Sequence, residues 1–226
     1  MTEFTTWRSL VDGEEISAIP DSAIAQYDAT EEPSTGSINS ISDLIGDFDL
    51  SGNAGVISSG INDQQTYRFD GSQNMSQGTT MATTEPIVIM AVVEQQEATG
   101  SNNFYFDGES ANDFGLQEDN ENEYQPSRGG DNTSQSLGTV TTDPQIIEIQ
   151  GINNDEIELF QDGASQGVAD DISAGDLTGL TLAAQGGGSL QAQIDVGELL
   201  VYEEPSSSDL SNERERLADK WGISLP

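Results

Sequence analysis

The side chains that could do chemistry in this chain are oxygens. Histidine and cysteine are both absent. That removes the usual general base, the thiolate nucleophile and the ligands of zinc, copper and haem. Asp195 and Glu198 are the carboxyl pair to test for glycoside cleavage, which needs two acids flanking one bond. On a regular strand a three-residue step sends them to opposite faces. They are therefore not expected to act together, and Glu198 is expected to make a structural hydrogen bond at a sheet edge. A second group, Asp107, Glu109 and Asp113 with Asn112 beside them, offers the oxygen ligands that calcium prefers. Glu118, Asp119, Glu121 and Glu123 form a similar run, and neither matches an EF-hand spacing. Acids this dense are also what chance gives where 41 of 226 residues are acidic, so calcium stands beside a plain solvated surface. A third group is Tyr124 among Asn122, Gln125 and Arg128. An exposed ring stacks on a pyranose while amides bind its hydroxyls; the other reading is that Tyr124 pins its loop to the domain. Asn74-Met75-Ser76 and Asn132-Thr133-Ser134 are glycosylation sequons.

Six basic residues against 41 acids give a net charge of −35. Nucleic acid is excluded as a partner, because no basic stripe is available to release its counterions. An anionic membrane surface would repel the chain, and no apolar run approaches the length of a membrane span. The N-terminal residues have no apolar run of signal-peptide length, so an export signal is not expected. Such acidity marks either disorder or adaptation to molar salt, where carboxylates hold water and repulsion is screened. Strand patterns along most of the chain favour a folded protein of a high-salt environment.

Those patterns also say what must position the candidate groups. Period-two or continuous apolar runs occur at 66–70, 87–94, 103–107, 145–150, 156–161, 180–184 and 192–202, and Asp162-Gly163 marks a tight turn. Residues 108–138 are polar and are expected to be short strands joined by long exposed loops. Residues 40–48 are expected to be a short helix or irregular. Ser206-x-x-Asp209 has the form of a capping box, and Leu210, Leu217 and Trp221 share one helical face that ends at Gly222. This predicts a helix over 207–220. Residues 1–20 read as an arm, with Phe4, Trp7 and Leu10 as apolar anchors for a neighbouring subunit, and residues 21–226 as one domain. The whole is expected to be an all-β, antiparallel two-sheet jelly-roll sandwich with one C-terminal helix.

Several of these segments resemble the concanavalin A-like, laminin-G-like jelly rolls, especially members in bacterial and viral proteins. The resembling segments are Tyr-Arg-Phe-Asp-Gly at 67–71, the apolar strand at 86–94, Ile-Glu-Leu-Phe-Gln-Asp-Gly at 157–163, Val-Gly-Glu-Leu-Leu-Val-Tyr at 196–202 and Ala-Asp-Lys-Trp-Gly-Ile at 218–223. Residues 25–29 and 49–53 are similar to the opening of viral members. The resemblance spans about residues 22–224 and implies the fold; one sandwich hosts lectins, hydrolases and structural modules alike. Glucanases of that fold class carry Glu-x-Asp-x-Glu on one strand, which this chain lacks, so the resemblance implies no enzyme. The expected function is a virion surface protein of a halophilic archaeal virus, as a tail-fibre, turret or decoration component. It would be assembled in the host cytoplasm, partnered by other virion proteins and by copies of itself, and would engage host surface glycans. A cellular carbohydrate-binding or adhesion domain of a halophile is the alternative, with a glycan hydrolase behind it. Calcium is the single cofactor considered.

Overall fold

The computed structural model describes residues 10–11, 14–15 and 19–226, apart from 98, 99, 154 and 174. Every ladder between its strands is antiparallel, and one α-helix follows the last strand. The expected sandwich is present, with its layers joined into one curled sheet. Two strands carry the ladder round the corner by pairing with different neighbours along their length. Leu50–Ile57 meets Gly36–Ile41, Thr66–Asp70 and Asn74–Gln77. Gln193–Glu203 meets Ala23–Asp28, Thr66–Asp70 and Ile87–Gln95.

The continuous apolar run Ile87–Gln95 is explained by two cores. Ile87, Ile89, Ala91 and Val93 enter the main core between the layers. Val88, Met90 and Val92 face the other way, toward Leu210, Leu217 and Trp221 of the helix. A strand covered on both faces needs no polar alternation. The helix, Ser207–Trp221, starts at the expected capping box, in which Ser206 accepts the Asp209 N–H and Asp209 accepts the Ser206 N–H. It ends where Gly222 takes the left-handed conformation that glycine adopts without strain.

The helix docks on an irregularity in the last strand. The register of Gln193–Glu203 against Ile87–Gln95 slips between Val196 and Glu198, so Gly197 is a one-residue bulge. A Cβ on Gly197 would lie 2.6 Å from the Trp221 indole; the ring rests directly on bare backbone. The bulge also changes the phase of the strand. Ile194, Val196, Leu199 and Val201 all enter the main core, which leaves Asp195 and Glu198 together on the helix side. The expectation that these two acids point to opposite faces is corrected on this ground. Glu198 also sits on a central strand and not at an edge, since it pairs with Asp28 on one side and Val92 on the other.

Of the alternatives for residues 40–48 the irregular one holds, and residues 108–138 form the expected short strands but with shorter, better-buried connections than expected. Residues 40–48 are the end of the strand Gly36–Ile41 and a loop, ordered by Asp43, whose carboxylate accepts the N–H groups of Gln26, Ile45 and Phe48. Residues 108–138 hold the strands Phe114–Glu118 and Glu123–Arg128, five-residue pairing included, and most of their side chains are buried. The polar composition misleads there because the acids and glutamines cluster at the turns and on side chains that bond one another. Leu10–Val11 and Glu14–Glu15 pair as a small separate ladder.

Candidate functional site

On the face turned away from the main core, polar residues line up across four neighbouring strands. Ser51 is opposite Ser76, Ser76 is opposite Thr181, and Thr181 is opposite Asp107. Their strand neighbours Met75, Leu180 and Leu182 enter the core, so simple alternation turns this row away from it, with Asp107 and Thr181 buried beneath the loops beside it. Two loops rise beside it, one through Glu109 and one through Gly187 and Gly188. Together they enclose a cleft of ≈ 490 Å³ lined by Asn74, Ser76, Gln77, Gly78, Glu109, Thr181, Gly187 and Gly188. That volume falls within the range of about 300–1,000 Å³ typical of small-molecule sites.

The cleft is built from hydrogen-bonding groups. Thr181 Oγ1 donates to the Gly108 carbonyl at 3.1 Å and keeps lone pairs free. Gln77 folds back on Thr79, donating to its carbonyl at 3.1 Å and accepting its N–H at 2.6 Å. The side chains of Asn74, Ser76 and Glu109 make no hydrogen bond to any described residue. An amide, a hydroxyl and a carboxylate therefore converge on one space, able to donate to and accept from a polyhydroxylated ligand.

Asp107 organises the loops around this cleft. It is fully buried. One carboxylate oxygen accepts the N–H groups of Gly108 and Asp113, and the other those of Asn112 and Gly186. Both loops are thus anchored to one side chain. Burial pushes the Asp107 carboxyl up to about 6, against the downward pull of those amides. This arrangement corrects the calcium reading of Asp107, Glu109 and Asp113. Asp107 faces N–H donors, which a cation would have to displace, and Asp113 accepts from the Thr178 hydroxyl and N–H. Glu109 stands alone in the cleft. Among the described residues no cluster of three acids is placed to hold a metal ion.

The expected glycan group is corrected as well. Tyr124 is fully buried, so it presents no ring face to stack on a sugar. Its ring packs 5.5 Å from that of Tyr105, and its hydroxyl accepts from Gln145 Nε2 at 2.6 Å. Gln125 bonds Gln117 and the Thr133 carbonyl. Asn122 sits at a turn with positive φ. Arg128 is buried, ion-paired with Glu85, and donates to the carbonyls of Asn153 and Gly175. The group thus ties strands and loops together, the second of the two readings of Tyr124. Phe4 and Trp7, and the side chain of Leu10, lie outside the described residues.

Asp195 and Glu198 share a face but are both held in ion pairs. Arg68 grips Asp195 through two bonds of 2.7 and 2.6 Å. Glu198 receives Arg216 at 2.5 Å and Lys220 at 2.8 Å. Burial pulls the Glu198 carboxyl up, but Arg216 and Lys220 outweigh it and hold the group below its ordinary value.

Sequence reasoning missed the cleft because its walls come from residues 74–78, 109 and 181–188, each unremarkable alone. The one signal was Asn74-Met75-Ser76, which reads as a sequon before it reads as an outward-facing strand.

The arrangement defines an all-β sandwich that presents a polar cleft on its outer strand face. No protein-family model matches the sequence, and no curated protein matches it. Among solved structures, the chain is similar to Trypanosoma rangeli sialidase in complex with sialic acid, with a TM-score of 0.65 and 12% identity over 94% of this chain. It spans about a third (36%) of that sialidase. It is also similar to domain 4 of AbnA, an extracellular arabinanase of Geobacillus stearothermophilus, in complex with arabinotriose. There the TM-score is 0.56 and identity 12%, covering 86% of this chain and 99% of that domain. A third likeness is the binding domain of botulinum neurotoxin serotype D/C, with a TM-score of 0.61 and 11% identity, covering 88% of this chain and 53% of that one. At these identities the likenesses establish the shared β-sandwich fold.

Proposed function

We propose that this domain is a glycan-binding module and that the cleft over Asn74, Ser76 and Thr181 is its sugar site. The observation that carries the reading is the convergence of unpartnered amide, hydroxyl and carboxylate groups there. The likeness to an arabinanase domain complexed with arabinotriose supports it. Binding without cleavage is favoured because Asp195 and Glu198, the sequence's own acid pair, are engaged by Arg68, Arg216 and Lys220 and stand free for neither proton transfer nor attack.

The test is saturation-transfer and chemical-shift NMR of the full chain with a panel of mono- and disaccharides. Shifts are expected at residues 74–77, 181 and 187–188, and Asn74→Ala should weaken binding about three- to tenfold through loss of one or two hydrogen bonds. Absence of binding by every saccharide, or shifts confined to another face, would remove the assignment.

The setting we propose is the surface of a virion of a halophilic archaeal virus, with residues 1–20 docking the domain to neighbouring subunits. The resemblance of residues 25–29 and 49–53 to viral jelly rolls supports this, as does the net charge of −35. Removing residues 1–20 should leave the domain folded and abolish its association with other copies or particle proteins; unchanged assembly after the truncation would count against the arm.

A further inference from the structure

We infer that the cleft selects its sugars by charge, admitting neutral and amine-bearing saccharides and excluding carboxylated or sulfated ones. The inference rests on the glycan-binding reading above and specifies the ligand class of the same site.

Three observations carry it. First, Glu109 is the one charged residue lining the cleft. Its carboxylate stands over Gly78, 2.7 Å from where a Cβ would lie, and no described base or donor holds it. Second, no Lys or Arg lines the cleft, and every described base is engaged by an acid of its own chain. Arg68 is paired with Asp195, Arg128 with Glu85, Arg214 with Glu148, Arg216 with Glu198 and Glu213, and Lys220 with Asp28 and Glu198. Third, anions can also be held by converging backbone amides, and such a group does flank the cleft. Its four N–H donors, from Gly108, Asn112, Asp113 and Gly186, are already taken by the protein's own Asp107.

A carboxylate on a sugar would therefore lose water, gain no donor beyond neutral amides and hydroxyls, and meet Glu109 at close range. An ammonium in the same place would meet an unpaired acceptor. The unlike-charge and like-charge cases separate further because the whole chain carries a charge of −35. The chemistry is opposite to what the sialic acid bound by the similar sialidase would need.

Matched sugars give the test, each pair differing in one group: glucose with glucuronic acid, galactose with galacturonic acid, and glucose with glucosamine. Affinities for the full chain are measured by NMR titration in about 0.5 M NaCl. The acidic partner is expected to bind about tenfold more weakly than the neutral one, and the amino sugar at least as tightly as glucose. Both differences should shrink in about 3 M NaCl, where charges are screened within roughly 3 Å. Glu109→Gln, a change at an exposed position, should erase the preference for the amino sugar and narrow the penalty on the acids. If an acidic sugar binds as well as its neutral partner, charge selection is overturned while the glycan site stands. If no member of any pair binds, the glycan reading fails and takes this inference with it.

Discussion

Glu198→Ala is expected to lower the unfolding free energy by about 3–5 kcal/mol, the range for removing one partner of a buried ion pair. Glu198 has no exposed surface. Arg216 reaches it at 2.5 Å, Gln26 at 2.7 Å, Lys220 at 2.8 Å and the Trp221 indole N–H at 3.4 Å. Without the carboxylate, two cations and two neutral donors face an empty position under the helix. Glu213 still pairs with Arg216 and Asp28 with Lys220, which keeps the loss within that range. For a domain of this size it corresponds to a fall in Tm of about 6–20 °C, read by near-ultraviolet circular dichroism. A change within about 2 °C would mean that Glu213 and Asp28 suffice. The pH dependence has a definite sign. The carboxyl is held below its ordinary value of 4.5 in the folded state, so its contribution is present above pH 4.5 and is lost as pH falls through the lower folded value. The variant should accordingly lose less stability on acidification below pH 4.5 than the unaltered protein.

Arg128→Ala should cost a similar amount, about 3–5 kcal/mol, for a different reason. Arg128 is 1% exposed and joins four separate parts of the chain. Its guanidinium pairs with Glu85, donates to the Asn153 carbonyl at 2.6 Å and to the Gly175 carbonyl at 3.0 and 3.1 Å, and lies over the Phe114 ring. Truncation leaves the Asn153 and Gly175 carbonyls and the Glu85 carboxylate without their donor, and empties the buried space the Arg128 side chain fills. Arg128→Lys should recover little, because an ammonium cannot present a planar fork to partners on three sides. Urea denaturation measures the loss, and hydrogen exchange should show it concentrated near residues 151–153 and 175–177. An Arg128→Lys midpoint equal to that of the unaltered chain would show that charge alone matters at this position.

These two residues also show what could be read from the sequence. The helix was legible because its signals are local: a capping box, an apolar stripe and a terminal glycine lie within 17 residues, from Ser206 to Gly222. The long strands were legible because continuous apolar runs have few other uses. Glu198 is misread from the sequence because a three-residue step reverses the face only in a regular strand, and the bulge at Gly197 lies against Trp221, 24 positions later. Tyr124 and Arg128 read as a binding loop in the sequence because their neighbours are polar. Their burial depends on Tyr105, Gln145, Glu85 and Gly175, partners that only the folded chain brings together. Asp107 reads as one oxygen of a calcium group because its partners in the fold are backbone amides, which sequence composition does not display. The cleft was illegible for the same reason, since three distant segments supply its walls.

The pairing of every described base with an acid of its own chain has a consequence for how many copies of this domain behave together. Such molecules meet in solution as polyanions with no complementary charge to exchange across described surfaces. A concentrated layer of them would swell or contract as a polyelectrolyte gel does, its spacing and osmotic pressure governed by the small cations it retains. The density at which copies can be packed is then a property of the surrounding electrolyte as much as of their shape.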